Sequence, residues 1–447
     1  MRDDATTQTS GTVPTRAAPS GPAGSNWAGT YTYRASRVER PSSVEAAAEI
    51  VARAAARGDA VRGLGTRHSF SDVADGPATS DGPGILVDLT AVSSDPVIRT
   101  DALARWGSTL TVGAGTRYGD VAPVLDDAGF ALHNMGSLPH ISIAGATATG
   151  THGSGTRSGS LSSAVSALEF IGADGTVRTV QRGEPDFVGS VLHLGLLGIV
   201  TRVTLDVEPR YRMRQDAFGP IPWSTFTEHV DEVFAAGTSV CCFTNWDGSV
   251  REVLMKSRIP DDAEDVSIPD ELFGAPRLPP VPGDGLRTAR DGSSGPWWDR
   301  LPHFTIDSVP SVGSEVQSEH FVPLRNAAGA LDAVHALAHL IQPHLHVAEL
   351  RTMAADTLPL SPSQGEDVLC IAFTWRKHVA EVAALLPTLE AALAPFDARP
   401  HWGKTTSLGV EEIARLYPGL DGFRELVRRV DPGRTFRSGF AERMLGL

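Results

Sequence analysis

A glycine-rich run between Asn134 and Gly155 contains the residues best suited to bind a cofactor. Five glycines fall within 15 residues that extend from the run to just beyond it: Gly145, Gly150, Gly153, Gly155 and Gly159. Glycine lets the backbone approach a ligand closely, and serine and threonine add hydroxyl groups. Backbone amides turned into such a concavity bind phosphate without basic side chains. A flexible glycine loop is the alternative, but proline, isoleucine and histidine interrupt the run, which is unusual for a linker.

A second candidate site lies in a short apolar segment that contains Glu349 and Arg351. The segment 345–351 is predicted to be a strand, and residues two apart in a strand point to the same face. Ionic groups on a largely apolar strand must be paired, exposed or functional. Thr374 lies between two aromatic residues of the next predicted strand. A structural ion pair and a pocket for a hydroxylated substrate both fit these residues.

The usual nucleotide-binding patterns are absent from the sequence. No GxGxxG follows the first predicted strand, and no GxxxxGK[ST] occurs anywhere. Their absence disfavours a dehydrogenase with a doubly wound dinucleotide fold and a P-loop nucleotidase. A diphosphate cofactor must therefore be held in another way.

Charge and cysteine usage exclude several classes of protein. The 447 residues include 39 Lys and Arg against 53 Asp and Glu, a net charge of −14, which disfavours a nucleic-acid partner and a basic membrane patch. The most apolar run, 191–203, is interrupted by polar residues and is expected to be too short to span a membrane. Three cysteines, Cys241, Cys242 and Cys370, suit buried free thiols and no metal site, so a cytoplasmic location is expected.

The elements that position these groups are predicted to be short strands mixed with helices. This order of elements indicates an α+β fold. Residues 1–25 lack apolar residues in any run and are predicted to be a disordered tail. Ser42 and Glu45 have the spacing of a capping box and should begin a helix that Gly58 ends. The other elements predicted before Pro209 are strands at 60–64, 85–89, 109–112 and 199–207, a helix at 118–128 and a hairpin at 167–180.

The second half of the chain repeats the mixture of strands and helices, with no internal repeat. Residues 209–222 are hard to assign, and a helix should begin near Thr225. The Pro-, Gly- and Asp-rich stretch 258–300 is predicted to be a long loop. The remaining predictions are a hairpin at 240–255, helices at 324–340 and 379–393, and strands at 345–351 and 368–375.

Five segments together resemble one known family, the vanillyl-alcohol-oxidase-like flavoproteins, and within it the alditol oxidases and aldonolactone oxidases. They are Gly65-Thr-Arg-His-Ser-Phe70, the 134–155 run, Glu349-Leu-Arg351, Phe373-Thr-Trp375 and Arg399-Pro-His-Trp-Gly-Lys404. The resemblance extends from about Asn26 to Leu447, and Asn134-Met-Gly-Ser-Leu-Pro-His140 is most similar to alditol oxidases. Two residues depart from the family pattern: Arg67 stands where glycine is frequent, and Ala372 where alditol oxidases commonly have histidine.

The resemblance implies a two-domain FAD-binding fold, in which the FAD domain has two α+β subdomains. The FAD-binding domain would cover 26–208, and the substrate domain, with a mixed or antiparallel sheet flanked by helices, would cover 209–400. A C-terminal segment, 401–447, would return to the FAD domain. FAD would be attached covalently through His68, although a lone loop histidine is usually only a hydrogen-bonding residue. The other cofactor-binding residues implied are Gly63, Leu64, Gly65, Thr66, Arg67, Ser69, Ser137, Ser142, Gly145, Thr149, Gly150, Thr151, His152, Gly153, Ile199 and His401.

The same resemblance implies oxidation of a polyol such as xylitol or sorbitol at C1, by hydride transfer to the flavin and with O₂ as electron acceptor. Arg351 and Lys404 would be catalytic, and the substrate would be bound by Ser137, Glu349, Arg351, Thr374 and Lys404. An exposed loop lysine is the alternative for Lys404. An aldonolactone oxidase or dehydrogenase is the alternative function. The expected partners are the polyol and O₂, with no nucleic acid, membrane or metal, and the chain is expected to be a monomer.

Overall fold

A computed structural model describes residues 6–8, 23–77, 84–92, 94–308 and 314–447. Of the predicted tail, residues 1–5 and 9–22 lie outside the described residues. Thr6–Gln8 form a short strand, and Ala23 is buried.

The first part of the chain contains two sheets with helices beside them. Its elements are β1 Thr6–Gln8, β2 Arg37–Glu39, α1 Val44–Arg57, β3 Val61–Gly63, β4 Ile85–Val87, β5 Val97–Thr100, β6 Ser108–Gly113, α2 Tyr118–Asp127, β7 Phe130–Ala131, α3 Ile143–Ala148, β8 Val165–Ile171, β9 Val177–Gln181, α4 Phe187–Val191 and β10 Ile199–Pro209. The small sheet is parallel in the order β2-β4-β3. The larger sheet is antiparallel in the order β1-β5-β6-β10-β8-β9, with β7 on β10.

Local sequence signals account for most of these elements. Ser43, one residue after the predicted cap Ser42, caps α1 by accepting a hydrogen bond from the backbone N–H of Ala46 at 3.1 Å. Gly58 ends that helix in the left-handed conformation at φ 75°. The hairpin predicted around 174–175 is confirmed as β8 and β9, with Gly175 at φ 78°.

The second part of the chain is dominated by one large sheet. Its elements are β11 Tyr211–Phe218, β12 Ile221–Pro222, α5 Trp223–Glu228, α6 Val230–Ala235, β13 Ser239–Thr244, β14 Ser249–Val250, β15 Glu252–Pro260, β16 Glu271–Leu272, β17 Ala275–Pro276, β18 Ser294–Pro296, β19 Glu315–Pro323, α7 Ala327–Ala336, α8 Ala338–Ile341, β20 Leu345–Met353, β21 Val368–Arg376, α9 Val379–Leu393 and β22 Arg399–Pro400. The sheet is antiparallel in the order β18-β11-β15-β13-β20-β21-β19-β22. Apolar residues of α5, α6, α7 and α9 share one buried core with its strands.

Several predictions for this part were wrong in their limits or incomplete. The stretch 258–300 is not one long loop, because β15 continues to Pro260 and three short strands and a 3-10 turn at Trp297–Asp299 follow. Trp297 is fully buried, so side-chain packing rather than local sequence orders this stretch. The unassigned residues 209–222 contain β11, and β19 was not predicted at all. The first helix begins at Trp223, before Thr225.

The C-terminal segment packs against the first part of the chain. Its helices are α10 Val410–Leu416, α11 Leu420–Val430 and α12 Gly439–Leu445, and they share an apolar cluster with Leu192, Leu194 and Leu196. The buried guanidinium of Arg62 donates to the carbonyl oxygens of Phe436 at 2.9 Å and of Gly195 at 2.6 Å. These contacts place the residues after β22 beside β3.

Among the described residues, one helix is long and apolar enough to cross a membrane on length and composition alone. It spans Val379–Phe396 and has a mean hydropathy of 1.5. The sequence-based prediction names 191–203 as the most apolar segment instead. Its inner face packs on the large sheet through Leu386 and Leu389, and Glu390 is hydrogen-bonded inside the protein. Core helices of soluble proteins pass the same test, so this helix is weak evidence for a membrane span.

Candidate active site

A cavity of about 1280 Å³ lies between the glycine-rich loops of the first part and the large sheet of the second. A cavity of this size accommodates a dinucleotide-sized ligand. The predicted site residues that line it are Gly63, Leu64, Gly65, Thr66, Arg67, His68, Ser69, Ser137, Ser142, Gly145, Thr149, Thr151, His152, Ile199, Glu349, Arg351, Thr374, His401 and Lys404. Gly150 and Gly153 do not line it.

The loop after β3 brings His68 to the cavity wall. Arg67 takes a left-handed conformation, φ 64°, that glycine would adopt without strain. Its guanidinium donates to the carbonyl oxygen of Ala23, and its own carbonyl oxygen accepts a hydrogen bond from the N–H of Trp27 at 2.9 Å. These contacts hold the turn that a glycine would otherwise make, and explain how arginine is accommodated before His68.

The imidazole of His68 has an environment that favours a neutral, reactive ring. Its Nδ1 is buried and has no hydrogen-bond partner among the described residues. Burial, with the nearby cation of Lys404 and His140, lowers its pKa to about 4. The ring lies 5.2 Å from that of Trp27, measured between centroids. A neutral imidazole nitrogen without a partner can act as a nucleophile towards a ligand in the cavity.

Close backbone approach explains several glycines of the two loops. A Cβ at Gly65 would lie 2.7 Å from Ser142 Oγ, and one at Gly145 would lie 2.9 Å from the same atom. The Ser142 N–H also donates to Thr66 Oγ1 at 3.2 Å, so the two loops interlock across the cavity wall. Gly153, by contrast, has Asn134 Oδ1 where a Cβ would be, which gives it a packing role.

Glu349 and Arg351 lie on the same side of β20, at the opposite wall. Arg351 Nη2 is 3.3 Å from Glu349 Oε2, and Arg351 Nη1 donates to Ser137 Oγ at 3.5 Å. Burial would raise the pKa of Glu349, but Arg351 and His303 lower it to about 2. Burial opposes the charged form of Arg351, yet the carboxylates of Glu349 and Glu319 raise its pKa. Both groups are therefore ionised, and Glu349 serves as a hydrogen-bond acceptor rather than as a proton acceptor near neutral pH.

Glu319 on β19 is a buried site residue that the sequence analysis missed. Its Oε1 is 2.7 Å from His152 Nε2 and 3.8 Å from Arg351 Nη2, and accepts from the Cys370 thiol at 2.8 Å. Burial would raise its pKa, but His152 above all, and then His401 and Arg351, hold the pKa well below its usual range. The alternation of Glu315, Gln317 and Glu319 is the signal that could have found this strand.

His303 is a second residue that sequence reasoning missed. It comes from the irregular segment after the 3-10 turn, lines the cavity, and its Nε2 is 2.8 Å from Glu349 Oε1. No period or motif surrounds it in the sequence, so only the folded chain brings it to Glu349.

The residues after β22 supply a cation and a neutral imidazole to the cavity. Lys404 donates from Nζ to Gln317 Oε1, and its ammonium lies 5.2 Å from the centroid of the Phe70 ring. Burial lowers the pKa of Lys404, and Glu319 partly offsets this. His401 Nδ1 accepts from the Gly403 N–H at 2.9 Å, and burial lowers the pKa of His401 to about 3.

In the part of the chain that the structure describes, two sets of side chains offer metal-ligand atoms within 4.8 Å of one another. They are His152, Glu319 and Cys370, and Cys241, His303 and Glu349. The carboxylate of each set already pairs with Arg351 and with the histidine of its own set. The sequence prediction of no metal remains a prediction. The three cysteines are free and buried, as predicted.

Matches to known proteins agree with this arrangement. Residues 35–181 match the model of an FAD binding domain, and residues 312–444 match a model described as D-arabinono-1,4-lactone oxidase. The chain is 40% identical to alditol oxidase of a Streptomyces species, over 94% of this chain and 98% of that protein. It is 28% identical to L-gulono-1,4-lactone dehydrogenase of Mycobacterium tuberculosis, over 95% of this chain and 99% of that protein. The crystal structure of cholesterol oxidase from B. sterolicum superposes with a TM-score of 0.76 at 16% identity, covering 99% and 97% of the two chains, a likeness of fold.

A buried histidine at the cavity makes stability depend on pH. His193 Nδ1 accepts from the Gly195 N–H at 2.9 Å, and burial, with Arg62, lowers its pKa to about 3. Between pH 6.5 and about 3 the unfolded chain binds a proton at His193 that the folded chain does not, so stability falls as the pH falls through this window.

We predict that His193→Asn, whose Oδ1 can accept the same hydrogen bond, flattens the pH dependence of unfolding. Between pH 6.5 and 4.5 the wild type should lose roughly 2 kcal/mol more unfolding free energy than the variant, because one bound proton changes this free energy by about 1.4 kcal/mol per pH unit. Urea unfolding at several pH values measures it. The exposed His339→Asn is the control and should leave the slope unchanged. Parallel curves for wild type and His193→Asn would contradict the prediction.

Proposed function

The chain belongs to the family of FAD-dependent oxidases that includes alditol oxidase and the aldonolactone oxidases, and on that premise we propose that it is an alditol oxidase. It oxidises the C1 primary hydroxyl of polyols such as xylitol and sorbitol to the aldose, while O₂ is reduced to H₂O₂. The observation that carries the proposal is the polar wall formed by Glu349, Arg351, Ser137 and Thr374 at one side of the cavity.

This wall suits a chain of hydroxyl groups. A hydroxyl both donates and accepts, and here the ionised Glu349 accepts while Arg351 donates. Thr374 adds a group that does both. A site with several such partners discriminates against an analogue that lacks one hydroxyl, because a buried polar group is then left unpaired.

The opposite wall fits FAD. The interlocked glycine loops leave room only for backbone and small side chains, and His68 Nδ1 is a buried nitrogen without a partner. FAD, when bound, supplies the redox chemistry, taking hydrogen and electrons from the substrate and passing the electrons to O₂. We propose that His68, the residues after it and the residues at 142–152 that line the cavity hold the cofactor.

Arg351 and Lys404, two of the cationic residues that line the cavity, are proposed to bind and polarise the reacting hydroxyl. A cation beside the oxygen stabilises the negative charge that develops as the proton leaves. Glu319 and Glu349 both contact Nη2 of Arg351, which orients the guanidinium and leaves Nη1, beside Ser137 Oγ, to donate to the substrate. Lys404 is fixed by Gln317.

Other expectations from the sequence stand as proposals with this function. They are a division at 26–208, 209–400 and 401–447, a monomeric state, a cytoplasmic location and no nucleic-acid or membrane partner. The contacts of Arg62 with Phe436 support the return of the last segment to the first domain.

The function predicts peroxide production from polyols. Purified enzyme should form H₂O₂ with xylitol and sorbitol, less with glycerol, and little with an aldonolactone. A coupled peroxidase assay under air measures all four substrates. Oxidation of the lactone in preference to every polyol would instead support an aldonolactone oxidase. The match of residues 312–444 to a lactone oxidase model favours this alternative.

Covalent attachment through His68 predicts that the yellow colour stays with the protein after acid precipitation. His68→Ala should release its flavin into the supernatant, because no nitrogen remains to form the bond. The absorbance of both fractions measures this. His140→Ala, which removes a neighbouring imidazole, should retain the colour in the pellet. Complete release from the wild type would contradict the assignment.

Removal of the Lys404 cation should lower the rate of oxidation. We predict that Lys404→Met reduces kcat/KM for xylitol by about 10²- to 10³-fold, the usual loss on removing one charge-stabilising donor. Steady-state peroxide assays measure it. Lys377→Met is the matched control, because Lys377 donates to the Ala28 carbonyl oxygen outside the cavity. Near-normal turnover of Lys404→Met would refute the role.

A further inference from the structure

The segment 301–306 runs beside the substrate wall, and hydrogen bonds hold its backbone on two sides. The Ser137 carbonyl oxygen accepts from the N–H groups of His303 at 3.2 Å and of Phe304 at 3.3 Å. On the other side, the Thr288 N–H donates to the carbonyl oxygen of His303 at 3.0 Å, and the Thr288 hydroxyl donates to the carbonyl oxygen of Pro302 at 2.8 Å. The backbone at 303 is therefore held between two parts of the chain.

The side chain of His303 faces the carboxylate of the substrate wall. Its Nε2 is 2.8 Å from Glu349 Oε1, so Nε2–H is the donor of the pair. Its Nδ1 has no hydrogen-bond partner among the described residues, and this atom is not fully enclosed by protein. The residue lines the cavity. Burial and the nearby Lys256 lower the pKa of His303, so the ring is neutral near pH 7 and Nδ1 is a hydrogen-bond acceptor.

We propose that His303 is a specificity-determining residue that accepts a hydrogen bond at Nδ1 from a polyol hydroxyl beyond the second carbon. The proposal rests on the proposed polyol oxidation. It follows from the geometry of the pair, because Glu349 fixes the tautomer and leaves one ring nitrogen available. Glu349 and His303 then accept hydrogen bonds from adjacent hydroxyl groups of the same substrate.

Lys256 is a positioning residue for His303. It is almost completely buried on β15 and donates from Nζ to the carbonyl oxygen of Leu301, two residues before His303. It does not line the cavity. A buried ammonium needs such partners, and here the partner is the backbone that carries His303. Its effect on the substrate passes through that backbone.

The test compares substrates that do and do not reach His303. His303→Ala should raise the KM for xylitol and sorbitol about tenfold, the effect of one lost hydrogen bond, with kcat changed less. The KM for 1,2-propanediol, which has no hydroxyl beyond the second carbon, should stay within about twofold. His303→Gln, which keeps an acceptor and a donor, should recover part of the loss and provides the test if His303→Ala does not fold.

Lys256→Met should raise the KM for xylitol in the same direction, and little further in the background of His303→Ala, because the two residues act on one contact. The exposed His339→Ala should match the wild type. Equal KM changes for xylitol and 1,2-propanediol, or none for either, would overturn the assignment while polyol oxidation itself stands. A wild type that oxidises no polyol would overturn the proposed function and this inference with it.

Discussion

The buried guanidinium of Arg351 between two carboxylates is the interaction on which the site depends. Neither Glu319 nor Glu349 could remain ionised in this interior alone, since burial of an unpaired charge is costly. Arg351 lies 3.8 Å from one and 3.3 Å from the other, so one cation compensates both. Each carboxylate also contacts one histidine, His152 or His303, and both histidines line the cavity.

The sheet makes this arrangement possible by its strand order. β20, β21 and β19 are adjacent, and Ala372 on the middle strand is the register partner of both Glu349 and Glu319. The small side chain at 372 leaves space between the two carboxylates, which Arg351 occupies from one side. A chain that slipped by one residue would turn the charges into the helix-covered core, so the ionic groups also fix the register.

Local patterns in the sequence predicted the parts of the fold that local chemistry decides. The start of α1 to within one residue, the hairpin at 174–175, the helix Val379–Leu393 and the strand pair with Glu349 and Thr374 follow from short-range spacing. β19 was missed because an irregular region precedes it and its alternation mixes glutamate, glutamine and histidine with few apolar residues. His303 was missed because its role depends on contacts with Ser137 and Thr288, which lie far away in sequence. Gly150 and Gly153 look like their neighbours in the run, and only the packing of Asn134 separates Gly153 from the residues that line the cavity.

The hydrogen bonds of Arg62 join a strand that is synthesised early to a segment that is synthesised late, so the site is assembled late in translation. Arg62 and its acceptor Phe436 are 374 residues apart, and the Val61 N–H donates to the carbonyl oxygen of Thr435. Lys404 and His401, on the same late segment, complete the wall beside His68. During translation the glycine loops therefore emerge long before the residues that close the cavity around them. A nascent chain that ends before residue 401 lacks His401 and Lys404, so the cavity is complete only after the late segment has been made and has packed against β3.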